Sequence, residues 1–228
     1  MGLKDIMGLK DGGLRLATGE IPDTGLLHDY DASSLDLADG DTVSTFVDQT
    51  GNSDLSSNGA PIYRPSGIND RPAVEYDGVD DIHIGSVNSF GEEIVAFIVY
   101  QLDDGSNRQI ALAGQPDGLF LEINNGSGSY QINADGDSSL SGGAPSKGPN
   151  IFTADWTTAE IRINGSSVVT ASRSYNATNS EIQLGGFDGL DTYVDGVIAR
   201  VLIYDESAMY SGQIQDVEEV LNGTYAIY

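Results

Sequence analysis

EIQLGGFDGLDTYVDGVIARVLIYDESAMYSGQIQDVEEVLNGTYAIY, residues 181–228, decides the fold of this chain. EIQLGG reads as a strand, FDGLDTYVDG as a turn-rich loop, GVIARVLIYD as a second strand and SGQIQDVEEVLNGTY as a closing helix. In the second strand Val197, Ala199, Val201 and Ile203 alternate with Ile198, Arg200, Leu202 and Tyr204, so nearly every position is apolar. Such a strand belongs in a sheet covered on both faces, since a half-buried strand would alternate apolar with polar. The helix has Ser211 as its expected N-cap, a stripe at Ile214, Val217, Val220 and Leu221, and Asn222-Gly223 as its expected stop. One amphipathic helix behind a doubly apolar strand is the end of a two-sheet sandwich.

The rest of the chain agrees. PAVEY, DIHIG, EIVAFIVYQL, QIALAG, LFLEIN, YQINA, NIFTADW, AEIRI and SVVTAS bring the candidate strands to about eleven, short and punctuated by turn residues. EIVAFIVYQL, apolar almost throughout, is expected at the centre of a sheet, and Asn164-Gly165 between AEIRI and SVVTAS is a hairpin signal. With 228 residues the chain can bury roughly 70% of its unfolded surface, enough for one core without staples. It has no cysteine, so disulfides and thiolate metal sites are excluded.

Charge is the strongest compositional signal. There are 35 acidic residues, 25 of them aspartate, against 10 basic ones, a net charge of −25. The acids are spread through the loops, and such a surface repels itself in dilute buffer. In molar salt the Debye length falls to about 3 Å and the repulsion is screened, so the composition reads as salt adaptation. The same charge excludes nucleic acid, whose binding needs Lys and Arg, and docking on an anionic membrane. No stretch approaches the ~20 apolar residues of a membrane span, and MGLKDIMGLKDGG lacks the apolar core of a secretory signal.

Residues 1–24 form an arm distinct from residues 25–228. MGLKDI and MGLKDG are a near-repeat, and Leu3, Ile6, Met7, Leu9, Leu14, Leu16 and Ile21 make the segment too apolar for a simple linker. Lys4, Lys10 and Arg15 make it the least acidic part of the chain. The arm is expected to dock, on its own domain or on a neighbouring subunit.

From about residue 26 onward the motifs resemble the laminin-G-like, concanavalin A-like domains of bacterial, archaeal and viral surface proteins. LADGDTVSTFVDQTGNSDL, the Arg64-Pro65 pair, GINDRPAVEYDGVDD, AEIRINGSSV and VDGVIARVLIYDESA stand in the order of the family's motifs. Phe46 takes the place of the family's tryptophan, and Arg200 stands where an acid is common. The resemblance implies an all-β, two-sheet antiparallel jelly roll with a short C-terminal helix and an N-terminal arm, and a binding or adhesion role.

Catalytic constellations are scarce. A strand-borne acid set of a glycoside hydrolase would read E-x-D-x-E, and the nearest approach, Glu75 and Asp77, has Val79 as its third member. The two histidines are His28, in an Asp-rich loop, and His83, which the alternation with Ile82 and Ile84 points outward. There is no G-x-S-x-G nucleophile elbow.

Hard cations such as calcium want six to eight oxygens, and three loops space their oxygen donors suitably. These are Asp36, Asp39 and Asp41; Asn133, Asp135 and Asp137; and Asp188, Asp191 and Asp195. The last set is preferred, because Gly186 and Gly189 would let the backbone wrap an ion. Among loop aromatics, which include Tyr30, Tyr63, Tyr193 and Tyr210, Tyr130 and Tyr175 in Ser/Gly/Asn-rich loops are the expected ligand platforms; Trp156 is expected in the core.

Together these readings lead to the expectation of a non-enzymatic structural and adhesion protein. Its expected place is the surface of a halophilic archaeal virus particle, as a homo-oligomer joined to other particle proteins through residues 1–24. There it would contact a host surface glycan or protein. The alternative is a carbohydrate-binding or adhesion module, extracellular or on the cell surface of a halophile; a glycoside hydrolase ranks below both.

Overall fold

A computed structural model describes residues 19–91, 93–103, 107–116, 118–124, 126–133, 139–172 and 178–228. Its first strands are β1 (Leu26–Asp31), β2 (Thr45–Phe46), β3 (Leu55–Asn58), β4 (Ile62–Ile68), β5 (Arg71–Asp77) and β6 (Ile82–Gly91). Next come β7 (Ile94–Leu102), β8 (Gln109–Pro116), β9 (Leu119–Asn124), β10 (Tyr130–Asn133), β11 (Leu140–Gly142) and β12 (Asn150–Asp155). The last are β13 (Glu160–Ile163), β14 (Ser166–Thr170), β15 (Thr178–Leu184), β16 (Gly186–Phe187), β17 (Thr192–Tyr193) and β18 (Asp195–Asp205), followed by helix α1 (Gln213–Tyr225).

Two eight-stranded antiparallel sheets face one another. The first runs β14-β13-β12-β7-β18-β5-β4, with β1 also paired to β18; the second runs β11-β10-β9-β8-β15-β6-β3-β2. The small β16-β17 hairpin stands apart. This is the expected two-sheet jelly-roll sandwich with a short C-terminal helix. Among the described residues no helix is long and apolar enough to cross a membrane.

Why the central strands lack polar positions is now visible. In β7, Ala96, Ile98 and Tyr100 point into the core between the sheets, while Val95, Phe97 and Val99 point into a second core under α1. Strand β18 does the same with one interruption: the register shifts between Ile198 and Arg200. Ile198, Val201 and Ile203 therefore share the inner core, and Ala199, Leu202 and Tyr204 the outer one. Strict alternation places Ile198 and Val201 on opposite faces; the bulge reunites them.

The helix closes the outer core with Val217, Leu221 and Tyr225. Both of its ends differ from expectation. Gly212, not Ser211, is the N-cap, with left-handed backbone and no side-chain cap, and the helix passes Asn222-Gly223 to end at Tyr225, with Ala226 left-handed. Asn222 still terminates the chain's turn, its Oδ1 accepting from the backbone N–H groups of Ile227 and Tyr228. The helix is pinned to the sheet by Glu218, 2% exposed, which accepts from Thr153 Oγ1 at 2.8 Å and from both Nε and Nη2 of Arg162 at 2.9 Å. Asn164 and Gly165, with φ of 50° and 74°, make the expected tight turn between β13 and β14.

Four residues singled out in the sequence take defined places, one of them opposite to expectation. His83 is fully buried and points inward: its Nε2–H donates to the Val43 carbonyl at 2.8 Å, and Nδ1 accepts from the Tyr76 hydroxyl at 3.0 Å. Phe46 is fully buried and packs edge-on against the His83 ring, an aromatic core position. Arg200 is held in a bidentate pair by Asp29, at 2.9 and 2.7 Å. Trp156 is core, as expected.

The last residues of the arm lie on the domain. Ile21 packs at the margin of the outer core, the Pro22 carbonyl accepts from Tyr204 Oη, and the Thr24 carbonyl accepts from Gln213 Nε2. Residues 1–18 lie outside the described residues.

Candidate functional site at the loop end of the sandwich

Where β5 turns into β6 the sequence reads DGVDD, and β18 begins directly beside it, with Asp195 paired to Asp77. The loop carrying β16 and β17 folds against the same end. Between them lies a cleft of about 330 Å³ whose wall includes Asp77, Arg108, Gln109, Asp191, Tyr193 and Asp195. A second hollow of about 280 Å³, lined by Arg64, Glu75, Asp77, Asp80 and Asp81 among others, shares Asp77 with it.

The cleft is rigid on its inner side. Gly185 has φ +83°, and a Cβ there would stand 2.1 Å from the Tyr76 ring, so only glycine lets β15 approach β5 this closely. Arg108 Nε and Nη2 donate to Glu122 at 2.9 and 2.7 Å, and Glu122, fully buried, also accepts from Gln131 and Asn133. This network lies on the outward face of the second sheet, beside the Phe120–Phe187 ring pair at 4.9 Å. Gln109 Oε1 accepts from the Asp195 N–H at 3.1 Å, tying the cleft floor to β18.

Tyr193 is half-buried at the cleft wall and donates its O–H to Asp188 Oδ1 at 3.2 Å. Desolvation, that hydrogen bond and the nearby charges of Asp188, Asp191 and Asp80 raise its pKa, so the ring stays a neutral phenol at any ordinary pH. Thr192 also lines the cleft, and its buried Oγ1 has no hydrogen-bond partner among the described residues. A buried hydroxyl without a partner costs about 1–3 kcal/mol, which a ligand hydroxyl placed beside it would recover. An aromatic face, a cation, side-chain amides and carboxylates converging on one concavity are the groups that orient a polar, many-hydroxyl ligand.

The expected metal set is not gathered. Asp188 opens a 3-10 turn and accepts from Tyr193, Asp191 is the left-handed cap of that turn, and Asp195 is carried by the next strand. The three carboxylates do not form a set with ligand oxygens within 4.8 Å of one another. Among the described residues the close carboxylate set is Asp77, Asp80 and Asp81, with ligand oxygens within 4.8 Å of one another. Much of that set is used by the turn itself. Asp77 Oδ1 accepts from the Val79 N–H at 2.8 Å, while Asp81 accepts from the N–H groups of Ala60 and Asp77. Burial raises the Asp81 pKa, with its two acidic neighbours adding to the rise.

Neither expected aromatic platform is in the cleft. Tyr130 is 2% exposed, packed on Phe152 and accepting a hydrogen bond from Tyr100 at 3.1 Å, so it has no free face for a ligand. Its loop is polar, but the ring is the first inward position of β10. Tyr175 lies outside the described residues. The ring on the cleft wall is that of Tyr193, in the loop already singled out for its aspartates. Asp36 and Asp39 are exposed, Asp39 reaching Arg64 at 3.3 Å, and Asp41 accepts from the Ala38 N–H; Asp135 and Asp137 lie outside the described residues.

The chain matches no protein-family model and no curated protein. Solved structures do share its fold. Domain 4 of AbnA, a GH43 extracellular arabinanase from Geobacillus stearothermophilus solved with arabinotriose, aligns at a TM-score of 0.64 and 14% identity over 86% of this chain and 100% of that domain. The binding domain of botulinum neurotoxin DC, in complex with rat synaptotagmin II, aligns at 0.60 and 10% identity over 87% of this chain and 52% of that one. A Trypanosoma rangeli sialidase mutant displaying trans-sialidase activity aligns at 0.60 and 12% identity over 90% of this chain, but only 34% of the sialidase. At these identities the likeness is one of fold, a concanavalin A-like β-sandwich.

Proposed function

We propose that this protein is a non-enzymatic, laminin-G-like binding module whose ligand is a glycan held in the cleft between the DGVDD turn and the Asp188–Asp195 loop. The observation that carries the proposal is the unpartnered Thr192 hydroxyl beside the Tyr193 ring in a cleft that also holds Arg108 and Asp77. Support comes from the fold shared with a domain solved in complex with arabinotriose. The setting we attach to this reading is an outer surface in molar salt, that of a halophilic archaeal virus particle or of a halophile cell, which the charge of −25 supports.

Glycan-array screening in molar KCl followed by calorimetry tests it. Tyr193→Ala is expected to weaken the best hit by about 30-fold, a loss of about 2 kcal/mol for removing a central aromatic contact. Thr192→Val is expected to weaken it several-fold with no loss of stability. Unchanged affinity in both variants would place the ligand elsewhere, and release of reducing ends from any hit would remove the non-enzymatic part.

A further inference from the structure

The opposite end of the sandwich carries a larger groove with a different character. It lies where α1 begins, has a volume of about 480 Å³, and is lined by Asp155, Glu160, Glu206, Met209, Ser211 and Ile214 among others. All its charged lining residues are acids. Asp155 is occupied by Thr158, its two oxygens accepting from the Thr158 N–H and Oγ1. Glu160 faces Arg162 at 3.4 Å. Glu206 has no cationic partner among the described residues, and burial together with the charges of Asp155, Glu93 and Asp205 raises its pKa. Met209 and Ile214 are half-buried at the edge of the outer core, leaving an apolar margin beside the acids. An acidic groove with an apolar margin fits a segment that alternates apolar and basic side chains.

The chain owns a segment with both kinds of side chain, and the described residues that follow it, Pro22 and Thr24, are held beside the groove. Residues 1–18 hold three basic residues against two acidic ones, whereas the other 210 hold seven against 33. Leu3, Ile6, Met7 and Leu9 lie between and beside Lys4 and Lys10. Gln213, which lines the groove, is the residue that holds the Thr24 carbonyl, and Tyr204 holds that of Pro22. Eighteen residues reach up to roughly 60 Å when extended, many times what this approach needs. A segment tethered at the rim of its own receptor meets it at an effective concentration on the order of millimolar, which a second molecule in dilute solution does not match.

We infer that residues 1–18 dock in the groove at the start of α1 of their own chain, with Lys4 or Lys10 against Glu206 and the neighbouring apolar side chains on Met209 and Ile214.

The absence of native cysteine makes the test clean. Met7→Cys is combined in the full chain with Ser211→Cys at the groove or, as a control, with Val79→Cys, which is 67% exposed at the far end of β18. Both partners are within the arm's reach. In molar KCl with a mild thiol oxidant, the Ser211→Cys pair is expected to close within one chain on the order of ten-fold faster than the Val79→Cys pair, as local effective concentration requires. Adding Glu206→Lys is expected to slow closure of the Ser211→Cys pair several-fold and to leave the Val79→Cys pair unchanged. Equal rates for the two pairs would overturn the inference, as would indifference to Glu206→Lys. A disulfide-linked dimer whose yield rises with protein concentration would overturn it in favour of arms exchanged between copies.

Discussion

Acidification from pH 7.5 to pH 5 is expected to remove about 2 kcal/mol of stability through His83 alone. The ring is 0% exposed and both nitrogens are already used, Nε2–H on the Val43 carbonyl and Nδ1 by the Tyr76 hydroxyl. A proton on Nδ1 would have to displace the Tyr76 donor and put a charge in an aromatic pocket. Burial accordingly lowers the His83 pKa from 6.5 to about 4, the bond to Val43 opposing weakly. Above pH 6.5 neither the folded nor the unfolded chain carries the proton, and the group contributes nothing. As pH falls below 6.5 the unfolded chain takes it up and the folded chain does not, so stability drops, reaching about 2 kcal/mol at pH 5 and about 3 kcal/mol near pH 4. Urea unfolding in molar KCl at the two pH values, for the native chain and for His83→Gln, isolates the effect. The carboxylates and His28 are common to both proteins and cancel in the comparison. The native chain should lose about 2 kcal/mol more than His83→Gln on acidification. Equal losses would mean that His83 is protonated or solvated in the folded state, and the reasoning would fail.

Two further outcomes follow from the packing and the charge. Glu218→Ala leaves Arg162 and Thr153 facing an empty carboxylate site beneath α1, and should cost about 3–5 kcal/mol in denaturant unfolding. Lowering KCl from molar to tens of millimolar lengthens the Debye length several-fold around a chain of net charge −25. The Tm should then fall by more than about 10 °C, a few kcal/mol at roughly 2–4 °C per kcal/mol for a chain of this size; a flat salt dependence would contradict the salt-adapted reading.

The sandwich was legible because its central strands announce themselves. EIVAFIVYQL and GVIARVLIYD are apolar on both faces, and both proved central, with a core on either side. LFLEIN coincides with β9 residue for residue. Strands such as β3 (LSSN) and β4 (IYRPSGI) were not legible, since they are short, polar or interrupted by proline and glycine, and only pairing with β6 and β5 makes them strands. His83 was misread because its neighbours Ile82 and Ile84 looked like the inward pair; the Val43 carbonyl and Tyr76 hydroxyl that draw it inside come from other strands and leave no local trace. At the cleft, the loop from Asp188 to Asp195 is the one the sequence singles out for its aspartates, and the structure places Asp191, Tyr193 and Asp195 on the cleft wall. Asp188, Asp191 and Asp195 are divided between a 3-10 turn and strand β18, while Asp77, Asp80 and Asp81, close in sequence, are close in space as well. Tyr130 shows the same limit from the other side: a tyrosine bordered by Ser and Gly looks exposed until the strand's pleat turns it inward.

The pairing of β18 with β7, β5 and β1 also sets a timetable for synthesis. Strand β7 leaves the ribosome as a nine-residue apolar ribbon, and its neighbour β18 is about 100 residues further on. At roughly 5–20 residues per second the ribbon waits on the order of 5–20 s for that neighbour. Through that interval the nascent chain shows the cell its most aggregation-prone segment, shielded on one edge at most by β12. Molar salt, which screens the finished surface, strengthens association of that ribbon with others like it. Residues 195–228 therefore act as the lock of the whole fold, since until they arrive β7 lacks the neighbour that covers its other edge.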